Sequence, residues 1–340
     1  MRAYQLLGPG RAEVVEIPVP EPGLGQVRLR TAAAGLCHSD LLVIHADPPF
    51  FPIPSILGHE TTGWADKLGE GVTGVELGAA YGVYFPWGCG ECGPCGHGAE
   101  NVCDKAPMVP GFGCGADGGM ADYVIVDDIR HLVPLGDLDP VAAAPLMCAG
   151  ITTFHAIEKA RPLLGEGSAA VVIGVGGLGH LAIQILKAST AAQVIAIDRH
   201  EAKLDHARTL GADAFLAGEC AAEAIRVATG GRGAALVIDL VGNDATLGFA
   251  QSVLAQGGQL QIVGVGGGTL PLRFHEMPRD ASVSVPYAGT IPDLAGAVGL
   301  ARAGRIHADV VTIGYDALAE TYALMDAGLL QGRAVLVPTQ

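Results

Sequence analysis

Charge is scarce in this chain. Charged residues make up 16% of 340 and aromatic residues 5%, while half the chain is hydrophobic. That balance excludes wholesale disorder, which needs many charges and few apolar groups. Basic residues are the scarcer kind: 20 Lys and Arg stand against 35 Asp and Glu, a formal net charge of −15. With no basic cluster to offset it, such a surface repels a phosphate backbone, so nucleic acid is not an expected partner. An export signal is missing too, because Met1-Arg2-Ala3-Tyr4-Gln5 runs into charged and turn residues without an apolar core, and a cytoplasmic location is expected. One uncharged stretch, Ala169 to Leu186, reaches the length of a membrane span, but four glycines, His180 and Gln184 interrupt it. A strand, turn and helix account for those glycines, and no membrane partner is expected.

What is abundant is glycine, with 50 residues, about twice the usual share. The length exceeds what one core sustains and implies two domains. Residues 1–150 alternate short β segments, such as Gln26-Val27-Arg28-Leu29-Arg30 and Tyr123-Val124-Ile125-Val126, with Pro/Gly turns. From about Leu164 strand-length apolar runs (Ala170–Ile173, Val194–Ile197, Ala214–Leu216, Leu236–Leu240, Leu260–Val263) alternate with helical patterns near Leu178–Ala188, Glu201–Leu210, Ala221–Thr229 and Asp244–Leu254. This rhythm predicts an α/β fold: a doubly wound parallel sheet over 151–285, and a mostly β domain from 1–150 and 286–340, with Pro286-Tyr287-Ala288-Gly289 as the crossing.

Val171-Val172-Ile173 leads into Gly174-Val175-Gly176-Gly177-Leu178-Gly179 and then a helical pattern. Gly174 permits the tight turn, Gly176 the approach of a pyrophosphate, and Gly179 the contact of helix with strand, while the helix start offers free amides to the anion. The next strand ends in Asp198, nineteen positions after Gly179, where a carboxylate can accept hydrogen bonds from an adenosine ribose. NAD is expected over NADP, since that carboxylate would repel a 2′-phosphate; Arg199 beside it pulls the other way.

In a reducing compartment the eight cysteines read as metal ligands or buried thiols rather than disulfides. Cys89, Cys92, Cys95 and Cys103 lie within fifteen residues among turn-forming glycines, which suits a closed tetrahedral zinc. A redox pair would want a βαβ setting that is missing here, and His97 is a conceivable substitute for one thiolate. A second set is dispersed: Cys37-His38-Ser39-Asp40, Gly58-His59-Glu60 and Cys148. Two thiolates and an imidazole would leave zinc a position open for chemistry, though no local spacing joins them.

Together these residues resemble the zinc-dependent alcohol dehydrogenases of the medium-chain dehydrogenase/reductase superfamily. Gly58-His59-Glu60, Gly63, Gly69 and Val72 match the family's zinc signature, and the match runs through the cysteine lobe and the glycine loop to Gly332-Arg333. The resemblance implies a GroES-like catalytic domain and a Rossmann domain, NAD, and two zincs per subunit. It implies Cys37, His59 and Cys148 as catalytic-zinc ligands, Glu60 as the acidic neighbour near the metal, and Asp40 as the carboxylate orienting the ligand histidine. Cys89, Cys92, Cys95 and Cys103 match the structural zinc lobe. Ser39 matches the hydroxyl that bonds the alcohol oxygen, His38 a residue near the pyrophosphate, and Thr152 one close to nicotinamide. Lys203 and Arg333 resemble cofactor-contacting cations; Gly177, Leu178, Val241 and Val265 belong to the implied cofactor contacts.

The activity implied is NAD-dependent oxidation of primary or secondary alcohols and its reverse: zinc lowers the pKa of the alcohol oxygen, and the alkoxide carbon passes hydride to nicotinamide. Polyol or thiol-adduct formaldehyde dehydrogenases, and a non-catalytic zinc/NAD sensor, are the competing readings. The histidine ending the proton relay in several relatives is replaced by Leu42, with His45 a weak substitute. Around the metal an apolar pocket is expected, with Phe50, Phe51, Tyr84, Phe85, Trp87 and Tyr287 as candidate walls and Phe85 or Trp87 as the substrate contact. Ala288, beside Tyr287, leaves room for a bulky or aryl group. Family resemblance suggests a homotetramer, alternatively a dimer.

Overall fold

The computed structural model describes residues 1–106, 111–330 and 332–338. The chain divides into two compact units, Met1–Ile151 with Thr290–Gln340, and Thr152–Gly289.

In the first unit the strands Leu132–Pro134, Ala80–Val83, Glu60–Leu68, Val27–Gly35, Arg333–Leu336 and Val310–Ile313 lie side by side in that order, with Tyr123–Val126 also paired to Val27–Gly35. A smaller sheet joins Arg11–Glu16, Arg2–Gly8 and Ser55–Ile56. The first half of Val27–Gly35 alternates buried and less buried residues, as a half-covered strand does, while its last five are all buried. Arg30 pairs across the ladder with Trp64 and lays its guanidinium 4.2 Å from that ring's centre, covering the indole with a cation.

Register decides what meets at the end of this sheet. Gly35 sits opposite Glu60 on one side and Val335 on the other. Cys37 follows Gly35 by two positions, His59 precedes Glu60, and Arg333 precedes Val335, so three separate chain segments deliver these side chains to one edge. Gly35 is required there, because a Cβ on it would stand 2.1 Å from Glu60 Oε2.

The second unit is a six-stranded parallel sheet ordered Asp213–Leu216, Gln193–Asp198, Ala169–Ile173, Ala234–Asp239, Leu254–Ile262, Ser282–Ser284. Every residue of Ala169–Ile173 is buried, as a central strand covered on both faces requires. Helices Gly179–Ser189, Glu201–Thr209, Ala221–Ala228 and Asp244–Val253 connect the strands. The order reverses between Ala169–Ile173 and Ala234–Asp239, the switch point where doubly wound sheets open a crevice for a nucleotide. One strand differs from expectation: Leu254–Ile262 begins six residues before Leu260, with a register irregularity near its start. The uncharged stretch 169–186 is resolved into strand, glycine loop and helix, and among the described residues no single helix is long and apolar enough to cross a membrane.

Gly179 and Gly176 separate two uses of glycine. A Cβ on Gly179 would lie 2.1 Å from the Gly174 carbonyl oxygen, whereas one on Gly176 would meet nothing within 4 Å. Gly179→Ala is therefore expected to destabilise this unit by about 1–3 kcal/mol, the usual penalty of forced overpacking, and Gly176→Ala to leave stability unchanged, both read by denaturant unfolding.

Candidate active site and metal centres

Cys37 precedes the helix His38–His45, and its N–H is held by Asp40 Oδ2 at 2.8 Å, a carboxylate reaching back across the first turn as in a capping box. His59 ends the segment leading into Glu60–Leu68, and Cys148 stands at the break between Ala144–Met147 and the helix Ala149–Ala160. One ligand atom from each of Cys37, His59, Glu60 and Cys148 lies within 4.8 Å of the others. All four residues are buried. Ser39 is close by, its Oγ 3.4 Å from Cys37 Sγ, and the Phe85 ring lies 5.2 Å from the imidazole of His59, centre to centre.

Buried thiols need compensation before they ionise. Cys37 is held well below the ordinary thiol range, first by the Cys148 thiol donating to it; burial opposes this, and the Arg333 and His59 charges assist. Cys148, the other half of the pair, is pushed up by sharing that proton and by burial. His59 Nδ1 faces Asp40 Oδ1 at 3.2 Å, which leaves Nε2 for the thiol side. Burial works against a charged His59, but Cys114, Asp40 and Cys37 outweigh it and raise its pKa. Glu60 is occupied: Arg333 Nε donates to Oε2 at 3.0 Å and Nη2 pairs with Oε1, both side chains almost wholly buried. Two thiols and one imidazole, with a fourth donor tied to a guanidinium, suit a zinc with an open position.

The cysteine lobe fits a closed zinc. Cys89 and Cys95 sulfurs are 4.0 Å apart, Cys92 and Cys103 sulfurs 3.9 Å, and all four lie within 4.8 Å of one another. A tetrahedron with metal–sulfur bonds of ~2.3 Å has edges of about 3.8 Å. Backbone N–H groups, that of Glu91 foremost, draw the Cys89 pKa down to about 6, while burial pushes Cys95 up to about 12. His97 turns away, its Nδ1 2.8 Å from the Gly93 carbonyl oxygen.

Beneath this lobe lies a charged cluster. His131, wholly buried, sets Nδ1 2.7 Å from Asp127 and Nε2 2.9 Å from Glu100, and its ring stacks on Trp87 (5.2 Å, 9°) and Tyr84 (6.1 Å, 24°). Arg130 Nε donates to Glu100 at 2.8 Å and Nη2 to the Gly88 carbonyl at 3.0 Å, and Glu100 also takes the Gly88 N–H.

In the second unit Gly174 adopts φ +93°, and Leu178 precedes the helix Gly179–Ser189. Empty space over Gly176 is the cradle that a pyrophosphate fits. Asp198, nearly buried, accepts from the N–H groups of Val175 at 2.8 Å and His200 at 3.0 Å, bracing the loop while each oxygen keeps acceptor capacity. Val241 and Val265 are exposed; the Val241 carbonyl takes the Gly266 N–H, and a Cβ on Gly174 would touch Val241. Gly177 is half-buried within the loop, Thr152 is buried on helix Ala149–Ala160, Lys203 is half-buried on helix Glu201–Thr209, and exposed Arg199 donates to His200 Nε2 at 3.0 Å.

Several of the expected residues also have partners within the chain. Arg333, expected on the cofactor, gives its Nε and Nη2 to Glu60, toward which its strand register carries it, and keeps further N–H donors. Trp87, expected against substrate, is 8% exposed and packs on His131 and Phe112; Tyr84 is fully buried with its hydroxyl on the Asn101 N–H. Phe50 is 66% exposed with Phe51 edge-on to it, and Tyr287 is exposed in the other unit. His38 Nε2 lies 3.2 Å from the Met325 carbonyl, and Leu42 and His45 are exposed on their helix. Sequence reasoning missed Cys114, electrostatically coupled to His59, the Glu100–His131 cluster, and Tyr322, which bonds Asp40. Only the charge run Asp127-Asp128-Ile129-Arg130-His131 offered a local sign of any of them.

Residues 23–137 match the family model described as alcohol dehydrogenase GroES-like domain, and 177–301 that described as zinc-binding dehydrogenase. An NAD-dependent alcohol dehydrogenase of Sulfurisphaera tokodaii is 35% identical over 99% of this chain and all of its own. Among solved structures, the alcohol dehydrogenase of Aeropyrum pernix superposes with a TM-score of 0.91 at 31% identity, covering 99% of this chain and 100% of that one. Acetophenone reductase from Geotrichum candidum, solved in complex with NAD, gives 0.88 at 29%, covering 99% and 96%. Fold and site define a zinc-type dehydrogenase. More narrowly, the chain belongs to the zinc-dependent alcohol dehydrogenases of the medium-chain dehydrogenase/reductase superfamily.

The cluster under the cysteine lobe carries a pH signature. Burial pushes Glu100 up, but bonds from His131, Gly88 and Arg130 prevail and hold it at about 2, so its contribution is present above the ordinary value of 4.5 and fades as pH falls toward 2. Burial pushes His131 down, but Asp127 and Glu100 prevail and raise it, so its contribution is full below 6.5 and fades as pH rises through the raised value. Glu100→Gln is expected to cost about 3–5 kcal/mol, as breaking a buried pair does. The wild-type-minus-variant difference in unfolding free energy should be largest near pH 5–6 and shrink to either side.

Proposed function

We propose that this protein interconverts primary or secondary alcohols with aldehydes or ketones using NAD, at a zinc held by Cys37, His59 and Cys148. The alcohol dehydrogenase activity and its small-molecule alcohol or carbonyl substrates follow from the family. The observation that carries the site is the convergence of two thiols, an imidazole and a carboxylate within 4.8 Å in a buried place, from three segments distant in sequence. Zinc there supplies Lewis acidity toward an alcohol or carbonyl oxygen, and NAD accepts or returns the hydride. The chain's own residues do the rest. Ser39, beside Cys37, is placed to hydrogen-bond the substrate's hydroxyl through its Oγ. Asp40 fixes the His59 tautomer, and Arg333 keeps Glu60 off the metal at rest. Phe85, against His59, makes the wall apolar, which favours alkyl or aryl carbons over polyols. The amides of Gly176 to Leu178 take the pyrophosphate, and Asp198, which braces the loop through the Val175 N–H, takes the adenosine ribose.

Within this reading the unit 1–151 with 290–340 is the catalytic domain and 152–289 the NAD domain. A second, structural zinc sits on Cys89, Cys92, Cys95 and Cys103, giving two per chain. The working form is a cytoplasmic homotetramer, alternatively a dimer.

A panel of alcohols and ketones followed at the NADH absorbance, with NAD and NADP and before and after chelation, tests this. Activity is expected with NAD, lost on removing metal. Cys37→Ala or His59→Ala should lower kcat/KM by more than about 100-fold, the upper end for losing a mere outer partner of a metal ligand, while NAD binding by fluorescence titration survives. Gly176→Val should do the reverse, abolishing NAD binding with both metals retained. Activity that persists in a demetallated preparation sinks the proposal.

A further inference from the structure

Asp40 has more to do than face a histidine. Its Oδ1 lies 3.2 Å from His59 Nδ1, and its Oδ2 accepts from the Cys37 N–H at 2.8 Å. Those contacts reach two of the three proposed ligands, one through its ring and one through its backbone. An aspartate's terminal torsion is broad and roughly two-fold, so every contact on the carboxylate narrows the range its plane can sample. A third contact comes from the far end of the chain. Tyr322, on the helix Leu318–Asp326, donates its hydroxyl to Asp40 Oδ2 at 2.9 Å.

The hydroxyl is poorly placed for anything else. Tyr322 is 5% exposed, its ring stacks on Tyr4 at 6.2 Å and 20°, and the surrounding cluster is Leu6, Leu36, Ile44 and Leu57. Its other polar neighbour is the Met120 thioether at 3.6 Å, a weak acceptor. Burial, followed by the Asp40 charge, pushes the Tyr322 pKa well above the ordinary phenol value, so the group remains a donor. A buried phenol aimed at a buried carboxylate is costly to place unless both are satisfied, and here each completes the other.

We propose that Tyr322 is a positioning residue for the metal centre: by pinning the Asp40 carboxylate it fixes His59 and Cys37 in ligating geometry and slows escape of the metal. This rests on the assignment of Cys37, His59 and Cys148 as zinc ligands. Tyr322 touches neither substrate nor cofactor in this role.

The test is zinc release from the full-length holoprotein to an excess of the chelating dye 4-(2-pyridylazo)resorcinol. Wild type should release two zincs in two phases, one of them absent in Cys148→Ala. In Tyr322→Phe, which removes one oxygen and keeps the ring stack, that phase should accelerate about 10- to 100-fold, the range for outer partners of ligands. The other phase, from the cysteine lobe, should not change. Tyr315→Phe, which removes a hydroxyl from the same cluster bonded to Arg2 and Asp122 instead, should leave both phases alone. With cobalt in place of zinc, the visible ligand-field bands of Tyr322→Phe should shift, and those of Tyr315→Phe should not. Unchanged release and unchanged bands in Tyr322→Phe overturn the proposal, as does equal acceleration of both phases, which would mean general loosening. A wild type releasing a single zinc, unaffected by Cys148→Ala, would instead overturn the ligand assignment on which it rests.

Discussion

Everything at the metal site depends on bringing ionisable sulfur into a place with little water. A thiolate in such a setting is costly to desolvate, and two side by side repel each other as well. The fold meets this by delivering positive and hydrogen-donating groups on the same register that delivers the thiols. Because Gly35 pairs with both Glu60 and Val335, Arg333 arrives with Cys37, and its charge favours the first thiolate before any metal neutralises it. Slipping either ladder by one residue would turn Arg333 and Glu60 to opposite faces of the sheet and leave each charge buried alone.

The cysteine lobe solves the same problem by another route. Its thiols are close in sequence, so turn geometry alone can gather them, and two of the four are only half-buried. What needs support is its attachment to the body of the unit. Glu100, three residues before Cys103, and Gly88, one before Cys89, are joined to each other and through His131 and Arg130 to the segment leading into Leu132–Pro134. The lobe is thus held at both ends by a buried network whose members satisfy one another, and such networks specify one arrangement where an apolar contact would tolerate several. Trp87 belongs to this support, its ring stacked on His131.

How much of this was legible in the sequence follows from contact range. The cysteine lobe and the glycine loop are local patterns, and the parallel sheet announces itself through the rhythm of apolar runs, so these could be read directly. The triad Cys37, His59 and Cys148 could be assembled only by likeness to a family, since nothing in the spacing of three distant residues marks them as neighbours. Arg333 was assigned by likeness to the cofactor, yet its partner here depends on pairing with a strand some three hundred residues earlier. Tyr322 carried no signal at all, because a tyrosine on an apolar helix face reads as ordinary packing until the acceptor opposite its hydroxyl is known. Side chains that act through other side chains are the last to be visible in a sequence.

Glu60 shows how the two halves of the site constrain one another. Its oxygen is near enough to the other donors to serve as a fourth ligand, and a metal ligated by it as well would be closed, as one held by the four thiols of the cysteine lobe would be. Moving it there strips Arg333 of its partner in a place where that guanidinium is 4% exposed, and an unpaired buried cation is among the most expensive things a fold can hold. Two thiolates already balance a divalent ion, so a third anionic ligand gains less than the first two did. The ion pair is therefore the favoured arrangement, and it would leave a zinc held by Cys37, His59 and Cys148 the open position its Lewis-acid chemistry needs. A zinc at this site would thus stay open through a residue, Arg333, that need never touch it.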